Sequence, residues 1–197
     1  MPERQGGVEE CEMNKGLANL GILIIDDNAH MINIVKTILR GFGVKVFYEA
    51  TDAAEAFDIV RSDTVDIIIV DYQMDLLDGT DFVRLVRTGE DIANPFVPVI
   101  MLSAHSERKR ITAARDAGVS EFCCKPVTAM ELYKKLRSIV NSPRQFVRTA
   151  SYFGPDRRRH DDNRYNGPFR RKTDTGRQVD EPVNKDMGAS LKTLDFT

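Results

Sequence analysis

Five short apolar runs alternate with segments whose apolar residues recur at helical spacing, and this alternation restricts the fold more than any other feature. The runs are Leu20–Ile25, Val44–Tyr48, Asp66–Val70, Val97–Leu102 and Val119–Cys124. Ile67 to Val70 are four consecutive β-branched residues, the pattern of a strand covered on both faces. Helical spacing follows in Ile34, Val35, Ile38 and Leu39, then in Ala53, Ala56, Phe57 and Val60. It returns in Phe82, Val83, Leu85 and Val86, in Ile111, Ala114 and Ala117, and in Leu132, Leu136, Ile139 and Val140. Gly41, Gly43 and Gly118 supply helix stops, and Pro95 and Pro98 bound the fourth strand. Five β–α units in series predict a parallel sheet with helices on both faces, joined by right-handed crossovers. The expected domain is doubly wound α/β and covers residues 17–141.

In such a sheet, ligands gather beyond the carboxyl ends of the strands. Those ends carry Asp26 and Asp27, then Asp71, then Ser103, then Lys125. A carboxylate closing a strand as apolar as Ile67–Val70 is costly unless its charge is used. If the first and third strands are neighbours, about 4.8 Å apart, three acids converge on one spot. They repel each other and raise one another's pKa unless a cation is present. Oxygen ligands with no His or Cys among them suit a hard ion such as Mg²⁺. Lys125 adds a positive charge and Ser103 a hydroxyl donor. Asp26-Asp27 alone would equally suit the start of a helix, where acids are favoured. Phe122 alone reads as a core aromatic.

The set DD after the first strand, D-x-x-M-x-x-x-D-G after the third, S-A after the fourth and K-P after the fifth resembles the receiver domain of bacterial two-component response regulators. The resemblance implies a flavodoxin-like five-stranded sheet of order 2-1-3-4-5. It implies that Asp71 accepts a phosphoryl group from a phosphohistidine on a sensor histidine kinase or a histidine phosphotransfer protein. It gives Mg²⁺ the ligands Asp27, Asp26 largely through water, Asp71 and the backbone carbonyl of Gln73. Lys125 would bridge Asp71 and the phosphoryl group, and Ser103 would hydrogen-bond a phosphoryl oxygen. Phe122 stands where the family has its switch aromatic, and the Lys125–Pro126 peptide would be cis. An unidentified downstream protein would read the switch. Asp75 stands where the family commonly has Pro, and Ser103 where Thr is more frequent. A phosphohydrolase of the haloacid-dehalogenase type would need a second acid two residues after the nucleophile, and position 73 is Gln.

Charge is uneven along the chain despite an overall −2. There are 14 Lys and Arg against 18 Asp and Glu between residues 17 and 140, but 9 against 3 between 141 and 172. The basic segment holds two related units, Phe153-Gly154-Pro155-Asp156-Arg157-Arg158-Arg159 and Asn166-Gly167-Pro168-Phe169-Arg170-Arg171-Lys172. Each reads as a Gly-Pro turn followed by three basic residues. Residues 142–197 are expected to be a mostly disordered tail and residues 1–16 a disordered leader. The tail shows no helix-turn-helix, so sequence-specific DNA binding is not supported; receiver-controlled binding of nucleic acid through the arginines is the alternative function. Leu191, Leu194 and Phe196 could form a weak anchor. Arg108-Lys109-Arg110 reads as a solvated helix face. Three cysteines and no signal peptide point to a reducing, cytoplasmic setting, and no apolar run reaches membrane-span length.

Overall fold

The structure, a computed structural model, describes residues 17–149, 151–157 and the backbone of 177–179. Five β–α units form as the periodicity predicts. They are β1 (Gly21–Ile25), α1 (Ala29–Gly41), β2 (Val46–Ala50), α2 (Ala53–Ser62), β3 (Ile67–Asp71), α3 (Gly79–Thr88), β4 (Val99–Ser103), α4 (Arg108–Ala117), β5 (Glu121–Cys124) and α5 (Ala129–Asn141). The strands pair in parallel in the order β2-β1-β3-β4-β5, the flavodoxin-like arrangement.

Successive strand residues point to opposite faces, and both faces are covered. Ile68 and Val70 of β3 pack with Ala56 and Val60 of α2, Phe82 and Val86 of α3 and Ala114 of α4. Ile67 and Ile69 pack instead with Val35 and Leu39 of α1 and Leu132 and Leu136 of α5. Burial on both sides is why β1, β3 and β4 are continuous apolar runs instead of alternating ones. Polar side chains start four of the five helices: Asn28, Asp52, Asp78 and Thr128 each accept a backbone N–H of the first turn. Helix α4 follows Glu107, which makes no such bond. Among the described residues no helix is long and apolar enough to cross a membrane.

Helix α5 ends at Asn141, where the helical pattern stops, but residues 146–155 correct the expectation of disorder from residue 142. Strands β6 (Phe146–Thr149) and β7 (Tyr152–Pro155) form an antiparallel hairpin, and β8 (Arg177–Val179) pairs with β6 on its other edge. Gly154-Pro155, expected in a turn, closes a strand. The segment is too short to build a core, so it borrows one. Phe146 and Phe153 are buried against Phe96 of the loop before β4, with ring centroids 5.2 Å apart in both contacts and 5.7 Å between Phe146 and Phe153. The second Gly-Pro unit at 166–172, the leader and the Leu191–Phe196 stretch lie outside the described residues.

Because Phe146 is only 3% exposed, Phe146→Ala should lower the free energy of urea unfolding by about 3 kcal/mol. A loss below about 0.5 kcal/mol, the scale of ordinary surface changes, would mean that the hairpin is not part of the cooperative unit.

Candidate functional site

The parallel order brings the carboxyl ends of β1, β3, β4 and β5 to one edge of the sheet. Ile25 lies opposite Val70, so Asp26 and Asp71, each one residue further on, face each other across β1 and β3. Both are nearly inaccessible, at 2% and 6% exposure, while Asp27 is exposed. Asp26, Asp27 and Asp71 each offer a carboxylate oxygen within 4.8 Å of the others. The three acids thus converge as predicted.

Lys125 is held by the backbone of β4, its N–H donating to the Ser103 carbonyl over 2.7 Å. Its ammonium reaches Asp26 Oδ2 at 2.8 Å and Asp71 Oδ1 at 2.9 Å. The Lys125–Pro126 peptide is cis. Asp26 also accepts the Asn28 N–H at 3.0 Å, and Asp71 Oδ2 accepts the Gln73 N–H at 3.3 Å. Burial pushes the Asp71 carboxyl above the usual carboxylate value, and the Asp26 charge adds to this; Lys125 and the Gln73 N–H only partly offset the rise. Burial pulls the Lys125 ammonium down, but its two carboxylate partners outweigh that and the net shift is upward.

The loop after Asp71 accounts for the rest of the motif. Met74 is buried in the core cluster on the α3 side. Asp78 caps α3 by accepting the Asp81 N–H at 2.9 Å. Gly79 packs against the Asp71 backbone so closely that a Cβ there would lie 2.1 Å from the Asp71 carbonyl oxygen. Leu76, beside the unusual Asp75, is fully exposed with φ 68°, a conformation seldom adopted by a branched side chain.

Ser103 is buried at the end of β4, and its hydroxyl is engaged within its own loop. It donates to the His105 carbonyl at 3.1 Å and accepts the His105 N–H at 3.2 Å. His105 itself is exposed. Phe122 sits on β5 opposite Met101, half-buried against the same core cluster as Met74. One neighbour of the site was not legible in the sequence. Arg110 is half-buried with its guanidinium 5.0 Å from the ring centroid of Tyr72, the residue after Asp71. The solvated-face reading holds for Arg108 and Lys109 but not for Arg110.

All-oxygen donors around a buried negative spot fit a small hard cation, and the acidic cluster offers no nitrogen or sulfur ligand. A family model of the response regulator receiver domain matches residues 22–137. The chemotaxis protein CheY-3 of Vibrio cholerae serotype O1 is 35% identical over 130 residues, 66% of this chain and 96% of that protein. The chemotaxis protein CheY of Pseudomonas aeruginosa is 36% identical over 118 residues, covering 60% of this chain and 94% of its own length. Among solved structures, the chemotaxis response regulator CheY4 of Vibrio cholerae superposes with a TM-score of 0.56 at 25% identity, over 61% of this chain and 98% of that one. The receiver domain of the sensor histidine kinase PA1611 of Pseudomonas aeruginosa, with a magnesium ion coordinated in its active-site cleft, gives 0.56 at 25% identity over 64% of this chain and all of that one.

The raised Asp71 pKa carries a stability consequence. A carboxyl whose pKa is higher folded than unfolded contributes stability below its unfolded pKa and loses it as pH rises through the folded pKa. In buffer without divalent cations, Asp71→Asn should therefore melt a few degrees above the wild type at neutral pH. The gap should narrow as pH falls through the carboxylate range. Equal or lower melting of the variant at neutral pH would contradict the assignment of strain to this carboxylate.

Proposed function

The chain belongs to the response regulator receiver family, and we propose that Asp71 is its phosphoacceptor, taking a phosphoryl group from a phosphohistidine of a sensor histidine kinase or a histidine phosphotransfer protein. Receiver domains are signalling phosphoacceptors, and the family binds Mg²⁺ in an acidic pocket. The observation that carries the reading is the pair of contacts from one ammonium to two buried carboxylates at the carboxyl edge of the sheet.

An Asp71 oxygen attacks phosphorus, the phosphorus–nitrogen bond of the phosphohistidine breaks, and the imidazole leaves with the electron pair and picks up a proton. Asp26, Asp27, Asp71 and the Gln73 carbonyl would hold Mg²⁺, which when bound offsets the charge of the incoming phosphoryl oxygens. Lys125, already on Asp71, neutralises the same oxygens from the β5 side. Ser103 exchanges its bonds to the His105 backbone for one to a phosphoryl oxygen, moving the loop at the head of α4. Phe122 follows into the space released, and the surface formed by α4, β5 and α5 changes for a downstream protein partner. Free thiols at Cys123 and Cys124 support a reducing, cytoplasmic setting. The rival use of the arginines, binding nucleic acid, draws less support. Arg148 lies over its own Phe153 ring, and Arg157 lies over Tyr152 while pairing with Asp116.

Incubation with acetyl phosphate and Mg²⁺ should add one phosphoryl group, read by intact-protein mass, and Asp71→Asn should add none. Undiminished labelling of that variant would overturn the assignment. At limiting Mg²⁺, Asp27→Ala should label at least about tenfold more slowly, since even groups behind a metal ligand are worth that much.

A further inference from the structure

The helix nearest the proposed switch is the most weakly built of the five. Helix α4 starts without a side-chain cap, and its buried residues are two alanines, Ala114 and Ala117, both near its C-terminal end. Its first turn carries Arg108, Lys109 and Arg110, where the helix dipole disfavours positive charge. Helix α5, by contrast, buries Leu132, Leu136, Ile139 and Val140 behind the Thr128 cap. A ten-residue helix with so little apolar burial belongs to the low-stability end of a domain.

The alanines of α4 pack into the core beside α3, and the C-terminal end of the helix also meets the β6–β7 hairpin. Gly118 ends the helix with φ 97°. A Cβ on Gly154 of β7 would lie 2.8 Å from the Gly118 Cα, and one on Gly118 would lie 3.0 Å from the Phe153 carbonyl oxygen. The two backbones touch, and neither position admits a side chain. The buried Arg87 of α3 fills the joint: it donates to the carbonyls of Gly118 at 3.1 and 3.2 Å, Pro95 at 2.7 Å and Val97 at 2.8 Å. Its guanidinium lies 5.1 Å from the Phe146 ring centroid. Arg157 reaches back to Asp116 at 3.3 Å and lies 4.1 Å from the Tyr152 ring centroid. The root of the hairpin is fixed too, since Arg144 and Lys135 both pair with the buried Glu121 of β5. The seat is not fully satisfied: Arg157 Nε is buried without a hydrogen-bond partner among the described residues.

We propose that the β6–β7 hairpin, which lies beyond the family match, is a clamp on α4. It fixes the C-terminal end of the helix at Gly118. Phosphorylation acts on the opposite end, through the Ser103–His105 loop and through Arg110 on Tyr72. Helix α4 then turns about Gly118 against the clamp, so seating of the hairpin and phosphorylation of Asp71 oppose each other. This rests on the reading of Asp71 as phosphoacceptor. Coupling between two sites is reciprocal, so a loosened clamp makes the phosphorylated arrangement easier to reach.

The test uses the full chain with Gly154→Val, which the Gly118 contact cannot accommodate, and with Arg157→Ala, which removes the Asp116 pair without crowding. Amide hydrogen exchange without any phosphoryl donor should rise at least about fivefold in residues 108–117 of both variants and stay unchanged in β1 and β3. Affinity for beryllofluoride with Mg²⁺, read by fluorine NMR, should rise by about fivefold or more in Gly154→Val, the lower range of ordinary allosteric coupling. Unchanged α4 exchange in Arg157→Ala, or wild-type beryllofluoride affinity in a folded Gly154→Val, would overturn the clamp. If the wild type takes no beryllofluoride, the phosphoacceptor reading fails instead, and the exchange measurement still decides whether the hairpin holds α4.

Discussion

The interaction on which the rest depends is the bridge from Lys125 to both Asp26 and Asp71. Two carboxylates with oxygens within 4.8 Å of each other repel by roughly 3 kcal/mol or more at the effective dielectric of a protein site. Water cannot relieve this, because both groups are buried. The ammonium holds them together, and the exposed Asp27 adds a third negative charge at the mouth. One lysine against three acids leaves the site short of positive charge. Burial pushes the Asp71 carboxyl up, and the Asp26 charge adds to the rise. A site built this way is stabilised by whatever brings a cation.

Only a parallel sheet places these groups together, and much of the neighbouring sequence serves that placement. Continuous β-branched strands let helices cover both faces, so the carboxyl edge becomes the one place where polar ends can collect. Gly79 lets α3 begin against the Asp71 carbonyl, and Asp78 supplies its cap, which keeps the loop after Asp71 short. Ser103 and Lys125 arrive from adjacent strands tied by one backbone hydrogen bond. A shift of a single residue in β5 would turn Lys125 away from the acids, because side chains alternate along a strand.

The five β–α units and the converging acids could be read from residues because each rests on local pattern. The hairpin could not. Its strands are four residues each, contain Gly154 and Pro155, and sit among arginines, all of which read as disorder. Its stability comes from Phe96, far back in the chain, and from Arg87, which in sequence is only the basic residue of a helix's last turn. Arg110 likewise looks like one charge in a solvated run until the fold sets Tyr72 beneath it. Contacts of this kind are tertiary, and no periodicity announces them.

The central claim is that the acidic cluster is electrostatically unfinished and is completed by a divalent cation. It is tested most directly by thermal unfolding across a Mg²⁺ titration, because a ligand that binds the folded state alone raises the midpoint further as its concentration climbs above its dissociation constant. The account predicts a midpoint that climbs with Mg²⁺ at neutral pH, climbs less as pH falls and protons compete for the carboxylates, and barely moves in Asp27→Ala. A midpoint indifferent to Mg²⁺, or one that rises equally in Asp27→Ala, would contradict it.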